Sequence, residues 1–385
     1  MTPILFTSFK DMKTSLANTA RILAVIWIAA GPFFTQNTVA QENSRVIEFP
    51  DIPGYITLKC DLHMHTVFSD GNVWPNIRVQ EAIRDGLDAI SITDHLEYQP
   101  KKEDVSPADF NRSYQLASEA AKNTDLLVIN GAEITRSMPP GHSNAIFLED
   151  ANLLNVKDPL DAYKEAKKQG AFVFWNHPHW TSQQANGVAT LTEMQIELFE
   201  EGLISGIEIY NESTYSVEAL KIAKDYNLTV TGNSDIHGLI DWQFGVSEGG
   251  HRPVTLVFAS EKSKPAMKEA MENRQTAVWF DNTLVGDARF VGPLVKSSLE
   301  IIRQGRSQVQ GIEIKNHSDS DFILENLSDY TLHNKASVFV AKAHETTRIQ
   351  VKTLEEMDSF DLKFRVLNAY TAPDQHPEVI FTVVN

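Results

Sequence analysis

The stretch Asp61-Leu62-His63-Met64-His65-Thr66-Val67-Phe68-Ser69-Asp70-Gly71 concentrates side chains that bind cations. In an extended chain residues two apart point to the same side, so His63 and His65 present two imidazoles to one point, and Asp70 on the following turn adds an oxygen close by. Alone, two histidines spaced in this way read better as surface or core residues than as ligands. Further groups of the same kind follow: Thr93-Asp94-His95, Glu133, Gly141-His142, Asn176-His177-Pro178-His179 and Asp235-Ile236-His237. Imidazole and carboxylate without thiolate suit Mn, Fe, Zn or Co and do not choose among them. Two such cations bridged by one carboxylate can share a water and lower its pKa toward neutrality, and the resulting hydroxide can attack phosphorus or a carbonyl carbon.

These groups need elements to bring them together. Period-2 apolar spacing at Ile56, Leu58, Cys60 and Leu62 predicts a strand over residues 55–62 whose end carries the first group. Helices predicted over residues 75–85, 107–122, 159–169, 191–201, 214–226 and 264–273 are interleaved with strands over 89–93, 126–133, 145–148, 171–175, 206–210, 228–231, 254–259 and 276–280. Such alternation implies parallel strands with right-handed crossovers, hence a barrel or a doubly wound sheet. In a (β/α) barrel the strand-to-loop junctions converge on one face. Six junctions here carry His, Asp or Glu, and none of the histidines at them falls in a predicted helix. From residue 295 onward short alternating segments at 299–302, 311–314, 338–341, 347–351, 361–366 and 379–383, with no helix-length pattern, predict a small antiparallel β-sandwich over 295–385.

In this order the motifs His-x-His-Thr-x-x-Ser-Asp-Gly, Thr-Asp-His, a strand-end Glu, Gly-His, Asn-His-Pro-His and Asp-x-His resemble the polymerase and histidinol phosphatase (PHP) superfamily of metal-dependent phosphoesterases. The resemblance spans about residues 55–285 and implies a distorted (β/α)7 barrel, here residues 41–290, with up to three divalent metals. Carried over by position, it implies that His63, His65, Glu133 and Asp235 hold the first metal and that Glu133 bridges to a second held by His142 and His177. Asp70, His95 and His237 would hold the third. Every one of these positions has the residue type the family requires.

Other residues carry weaker expectations, each with a plain structural alternative. His179 is a candidate proton donor to the leaving group; it could equally be a rim residue. Arg136, three residues beyond Glu133, could clamp a phosphate oxygen through its planar fork or lie on the surface. Trp180, Tyr210 and Asn211 at strand ends could line a substrate pocket or simply pack. His251 and Arg252, just before a strand, are poorer candidates for substrate contact. Asp94 is expected to orient neighbouring ligands, Cys60 to be a small buried hydrophobe, and His317, His333, His344 and His376 to play no catalytic part.

With 34 Lys+Arg against 51 Asp+Glu, the chain carries −17. That charge disfavours binding to nucleic acid polymers or anionic lipid, which need a positive field. One cysteine excludes an intrachain disulfide and a Cys-rich zinc site. Lys10, Lys13 and Arg21 precede an apolar run over 22–30, and Thr38-Val39-Ala40 precedes Gln41, which reads as a secretory signal peptide cut after Ala40. The run is short of the ~20 apolar residues that span a bilayer. No Walker loop, dinucleotide fingerprint or nucleophile elbow stands where it would matter. The expectation is an exported, periplasmic or extracellular, metal-dependent phosphoesterase that uses Mn, Zn or Fe and acts on a small-molecule phosphate ester. A diester is favoured over a nucleotide or sugar monoester, by likeness to secreted phosphodiesterases of the superfamily. An amide or ester hydrolase and a binding protein are the alternatives from other classes.

Overall fold

The computed structural model describes residues 46–105 and 109–384. The leader expected at residues 1–40 lies outside them, as does part of the expected start of the 107–122 helix.

Strand β1 (Ile56–Asp61) forms where the alternating pattern places it and buries Leu58 and Cys60. Helix α1 (Pro75–Arg84) begins at a proline, whose missing N–H has no helical partner to lose, and buries Val79 and Ala82. In chain order there follow β2 (Ala89–Ile92), α2 (Arg112–Ala121), β3 (Leu127–Ile134), β4 (Ser143–Ile146), α3 (Pro159–Lys168), β5 (Phe172–Trp175), α4 (Glu193–Glu200), β6 (Gly206–Asn211) and the short β7 (Thr214–Tyr215). Helix α5 (Val217–Tyr226) ends at Asn227, a left-handed cap with φ 55°. Then come β8 (Thr229–Asn233), α6 (Ile240–Gln243), β9 (Val254–Ala259), α7 (Lys264–Glu272), β10 (Thr276–Phe280) and β11 (Thr283–Gly286).

These strands make one mixed sheet in the order β11-β10-β9-β1-β2-β3-β4-β5-β6-β7, with β8 also paired to β6. β1, β2 and β3 run parallel, as do β5, β6 and β8. Between the two parallel groups, β4 is antiparallel to both β3 and β5. Its connection from β3, residues 135–142, is shorter than the dozen or so residues that a parallel crossover needs. β9, β10 and β11 continue the sheet beyond β1 in antiparallel fashion. The sheet curls into an incomplete barrel: beyond the ends of β1 and β8, Met64 and Ile236 form a single parallel bridge.

Helix α8 (Ala288–Ser298), which the sequence pattern does not announce, follows β11 and buries Phe290, Val291, Leu294 and Val295. Pro293 in its interior masks it, because proline ordinarily breaks a helix. The chain then forms β12 (Leu299–Gln304), β13 (Val309–Asn316), β14 (Phe322–Asn326), β15 (Thr331–Leu332), β16 (Val338–Ala341), β17 (Thr346–Lys352), β18 (Phe360–Val366), β19 (Ala369–Tyr370) and β20 (Glu378–Val383). Two four-stranded sheets result, β12-β13-β17-β15 and β16-β14-β18-β20. Alternate residues such as Ile312, Ile314, Ile349 and Val351 from one sheet and Phe322, Leu324, Phe364 and Val366 from the other share a buried cluster. β19 leaves the sandwich to pair with β11, setting Leu284 opposite Ala369 and Val285 opposite Tyr370. The same apolar cluster runs on through α8 into the barrel at Leu256, Phe258 and Trp279. No described helix is long and apolar enough to cross a membrane.

Candidate metal centre

Beyond β1 the chain stays extended, because Asp235 N donates to His63 O (2.9 Å) and His65 N donates to Ile236 O (3.1 Å). His63 and His65 therefore face one side, as the spacing predicts. Asp94 gathers the turn that follows: its carboxylate accepts from Thr66 N, Thr66 Oγ1 and Ser69 Oγ, each at 2.7 Å. The turn folds so tightly that a Cβ on Gly71 would lie 2.6 Å from His65 C and Thr66 N. Asp70 is thereby brought back beside His65, with Lys101 Nζ donating to the Asp70 carbonyl (2.9 Å).

The other groups arrive on strand ends. His95 and Glu133 sit opposite one another in a parallel bridge. His142 precedes β4, His177 follows β5 and Asp235 follows β8. His177 (φ 27°) and Asp235 (φ 49°) hold left-handed backbone conformations that non-glycine residues adopt at a cost, which aims both side chains inward.

The donor atoms converge. His63 Nε2, His65 Nε2 and Asp235 Oδ1 form a triangle with sides of 3.1, 3.2 and 3.0 Å. Ligands about 2.1 Å from a cation stand about 3.0–3.4 Å apart in octahedral or tetrahedral geometry, so this triangle is one face of a coordination shell. Asp70 lies 3.3 Å from His95 Nε2, 3.2 Å from His237 Nε2 and 3.7 Å from His65 Nδ1. Glu133 stands between groups: Oε1 is 2.9 Å from His142 Nδ1 and 3.6 Å from His177 Nε2, while Oε2 is 3.6 Å from His65 Nε2 and 2.6 Å from His95 Nδ1. Three donor sets with metal-binding geometry emerge: His63-His65-Asp235, His65-Asp70-His95-His237 and His95-Glu133-His142. His65 and His95 thus each face two sets, a sharing that the position-by-position expectation does not contain.

The chemistry of the donors fits cations. Glu133 Oε2, His142 Nδ1 and His177 Nδ1 are buried and have no hydrogen-bond partner, although Glu133 and His142 approach one another at 2.9 Å. Buried donor atoms left without a well-formed hydrogen bond suit a shared positive centre. Burial by itself would raise the carboxyl pKa values of Glu133 and Asp235, but the surrounding imidazoles hold both well below the usual carboxylate range. Burial likewise pulls His63 down, yet Asp235 and Glu208 lift it to about 10. His65 falls to about 4 through burial and the neighbouring His95 and His237. Packed carboxylates here demand positive charge, which bound cations would supply by displacing the imidazole protons.

Residues behind the donors hold them in place. Glu208, in mid-β6, has no counterpart among the expected site residues. Its Oε1 accepts from His63 Nδ1 (2.9 Å) and Asn233 Nδ2 (2.9 Å), and its Oε2 from His177 N (2.8 Å) and Asn211 Nδ2 (3.0 Å). A carboxylate on Nδ1 keeps the proton there and leaves Nε2 free for a metal. Asn176 Nδ2 donates to Glu133 Oε1 (2.9 Å) and Thr135 Oγ1 lies 2.6 Å from His95 Nδ1. The only sequence signal for Glu208 is a lone acid between Ile207 and Ile209.

The weaker expectations divide. Trp180 is 43% exposed, with its ring 5.6 Å from His142 and 5.1 Å from His177, at the rim of the cluster. His179 is buried nearby, and its Nδ1 has no partner. Asn211 is at the site, but its Nδ2 is engaged by Glu208 and Asp235 (3.1 Å), so it orients carboxylates instead of offering itself to substrate. Two expected substrate contacts are corrected. Tyr210 would share the face of Glu208, but the pairing register shifts between them, and its ring stacks on Tyr215 and packs against Phe280. The guanidinium of Arg136 is engaged by Glu97 (2.7 Å) and by the carbonyls of Val156 and Lys157, to which it donates. Arg252 is buried between Asp61 and Asp85, and His251 stacks on Trp279 at 3.8 Å, so neither is available to substrate.

The PHP domain matches residues 61–230, and an Ig-like domain (DUF5001) matches residues 296–382. A two-domain protein from Bacteroides vulgatus ATCC 8482, containing a predicted PHP-like metal-dependent phosphoesterase, is 43% identical with a TM-score of 0.82. The match covers 88% of this chain and 98% of that one. The chain belongs to the PHP family. Its curled sheet is the PHP fold and its C-terminal sandwich an Ig-like domain. An assumed metal-dependent phosphoesterase from Bifidobacterium adolescentis ATCC 15703 (19% identity, TM-score 0.36, covering 47% of this chain and 88% of that one) is too distant to bear on this PHP chain. So is an amidohydrolase from Chromobacterium violaceum (15%, 0.35, 46% and 87%). No curated protein matches.

Proposed function

We propose that this PHP protein hydrolyses small phosphate esters, diesters in preference to monoesters, at the cluster around Glu133. The observation that carries the reading is the carboxylate of Glu133: its two oxygens face different donor sets, His142 and His177 on one side, His65 and His95 on the other. That is what a ligand bridging two cations must do. Divalent cations bound there would supply an activated water and neutralise charge developing on the phosphoryl oxygens. In this reading His63, His65, Glu133 and Asp235 hold one cation, Glu133 is shared with a second held by His142 and His177, and Asp70, His95 and His237 hold a third.

The chain's own residues do the remainder. Glu208 and Asn211 orient His63 and Asp235. His179, with an unpartnered Nδ1, holds the proton that the leaving oxygen takes. Trp180 borders the approach. The net charge of −17 supports the diester preference, since a singly charged diester meets less repulsion than a doubly charged monoester. The leader read at residues 1–40 adds export to the proposal, which N-terminal sequencing of the protein recovered outside the cytoplasm tests. The reaction is tested by comparing bis(p-nitrophenyl) phosphate with p-nitrophenyl phosphate on protein loaded with Mn or Zn, beside a chelated control. A faster diester rate abolished by chelation supports the reading. A dominant monoester rate overturns the preference, and hydrolysis that survives chelation overturns the metal dependence.

A further inference from the structure

The donors carried by the ends of β1 and β8 face one another across the seam of the barrel. Among the described residues no ladder joins those two strands, only the bridge between Met64 and Ile236. The register of His65 against Asp235 and His237 thus rests on that one bridge, Asp235 N to His63 O (2.9 Å) and His65 N to Ile236 O (3.1 Å), with no longer ladder to reinforce it. Arg78 of α1, wholly buried, reaches into this seam. Its Nε donates to His65 O (3.0 Å), its Nη2 to Ile236 O (3.0 Å) and its Nη1 to Gly238 O (2.7 Å). Those carbonyls belong to one proposed ligand and to the residues on either side of another, His237. Glu81, one turn along α1, accepts from Nη1 (2.8 Å) and from Ile240 N (2.9 Å), which ties the guanidinium and the chain beyond β8 to the same helix.

We propose that Arg78 is a positioning residue of the metal centre, the clamp that sets His65 against Asp235 and His237 across the open seam. The inference rests on the reading of this cluster as metal-binding. Its logic is geometric. A planar fork with donors in fixed directions can hold three carbonyls from two chain segments at once, whereas a lysine ammonium is a point on a flexible stem and cannot reproduce the pattern. The clamp also acts unequally. The sets His63-His65-Asp235 and His65-Asp70-His95-His237 draw on both sides of the seam. Glu133 in β3, His142 just before β4 and His177 just after β5 instead sit on strands joined by continuous pairing.

The test is calorimetric titration of Mn into chelator-stripped protein for wild type, Arg78→Lys, and a stability control, Phe364→Leu in the sandwich core, with metal content measured after gel filtration. Arg78→Lys keeps the charge opposite Glu81, so it is the variant suited to retain the fold, and the apo melting temperature is recorded for all three. The expected result is a roughly tenfold or greater loss of Mn affinity at the seam-spanning equivalents, with the equivalent that depends on His142 retained. Phe364→Leu should lower the melting temperature with no change in Mn affinity. Unchanged stoichiometry and affinity in Arg78→Lys would overturn the assignment of Arg78 alone, as would an equal loss at every equivalent or a matching loss in Phe364→Leu. Wild type that takes up no Mn would overturn the metal reading and this inference with it. Should Arg78→Lys fail to fold, Glu81→Gln, which loosens the guanidinium without removing it, must show the same selective loss or the inference fails.

Discussion

Replacing Glu208 by Gln separates a carboxylate that tunes the metal centre from one that merely packs. Each oxygen of Glu208 accepts two hydrogen bonds, from His63 and Asn233 on one side and from His177 N and Asn211 on the other. An amide has one oxygen, so whichever way the Gln turns, its NH2 meets two N–H donors. With charged acceptors worth about 1.5–3 kcal/mol per hydrogen bond, two lost bonds set an upper limit of roughly 3–6 kcal/mol on the destabilisation, before rearrangement. The informative rearrangement is at His63. If the NH2 faces Nδ1, the imidazole relieves the clash by moving its proton to Nε2, and the lone pair directed at His65 and Asp235 is lost. Loss of such a partner costs about 10–100-fold in metal affinity, or about 1.4–2.8 kcal/mol. The assay is titration of Mn or Zn into stripped wild type and Glu208→Gln, with apo melting curves alongside. A lower melting temperature with unchanged metal affinity would refute the argument, because Glu208 would then be only a packing residue.

Further outcomes follow from other parts of the molecule. Gly71→Ala puts a Cβ 2.6 Å from the backbone of His65 and Thr66; it should displace Asp70 and remove one metal equivalent, read by metal analysis. Phe364→Ala should cost about 3–5 kcal/mol in denaturant unfolding. Because the buried cluster runs from the sandwich through α8 into the barrel, the loss should appear in one transition reported by probes in both parts. Burial, then the charge of Asp88, raises the Cys60 thiol well above its ordinary value. The folded chain keeps this proton while the unfolded chain loses it, so this group's contribution to stability is full below about pH 8.5 and falls as pH rises beyond. Folded protein should also resist thiol reagents at pH 9 until denatured.

The parts legible in the sequence are those written locally. His63, His65, Glu133, His142, His177, Asp235 and His237 each stand at a strand end, and strand ends are visible as the limits of apolar runs. Their convergence follows from the barrel, so the cluster could be expected without any long-range information. Glu208 was hidden because its meaning lies in partners far along the chain, His63 and Asn233. Arg136 read as a phosphate clamp because its partner Glu97 lies on another loop. Tyr210 reads as a pocket residue because it stands at a strand end, and neither the register shift beside it nor its partners Tyr215 and Phe280 show in the local pattern. The antiparallel course of β4 was implicit in its short connection, and α8 was obscured by the proline within it. The seam was not legible at all: Arg78 lies on a helix far in sequence from the carbonyls of Ile236 and Gly238 that it holds.

The central claim is that the convergence of His63, His65, Glu133, His142, His177 and Asp235 exists to hold catalytic cations. The direct measurement strips the protein with a chelator, returns Mn or Zn in counted equivalents, and follows bound metal and phosphodiester hydrolysis in the same samples, for wild type and for Asp235→Asn. The account predicts that hydrolysis rises with occupancy in wild type and that the variant, short of a metal donor, loses most of both. Full activity in stripped protein, or an Asp235→Asn variant as active as wild type at equal metal content, would contradict it.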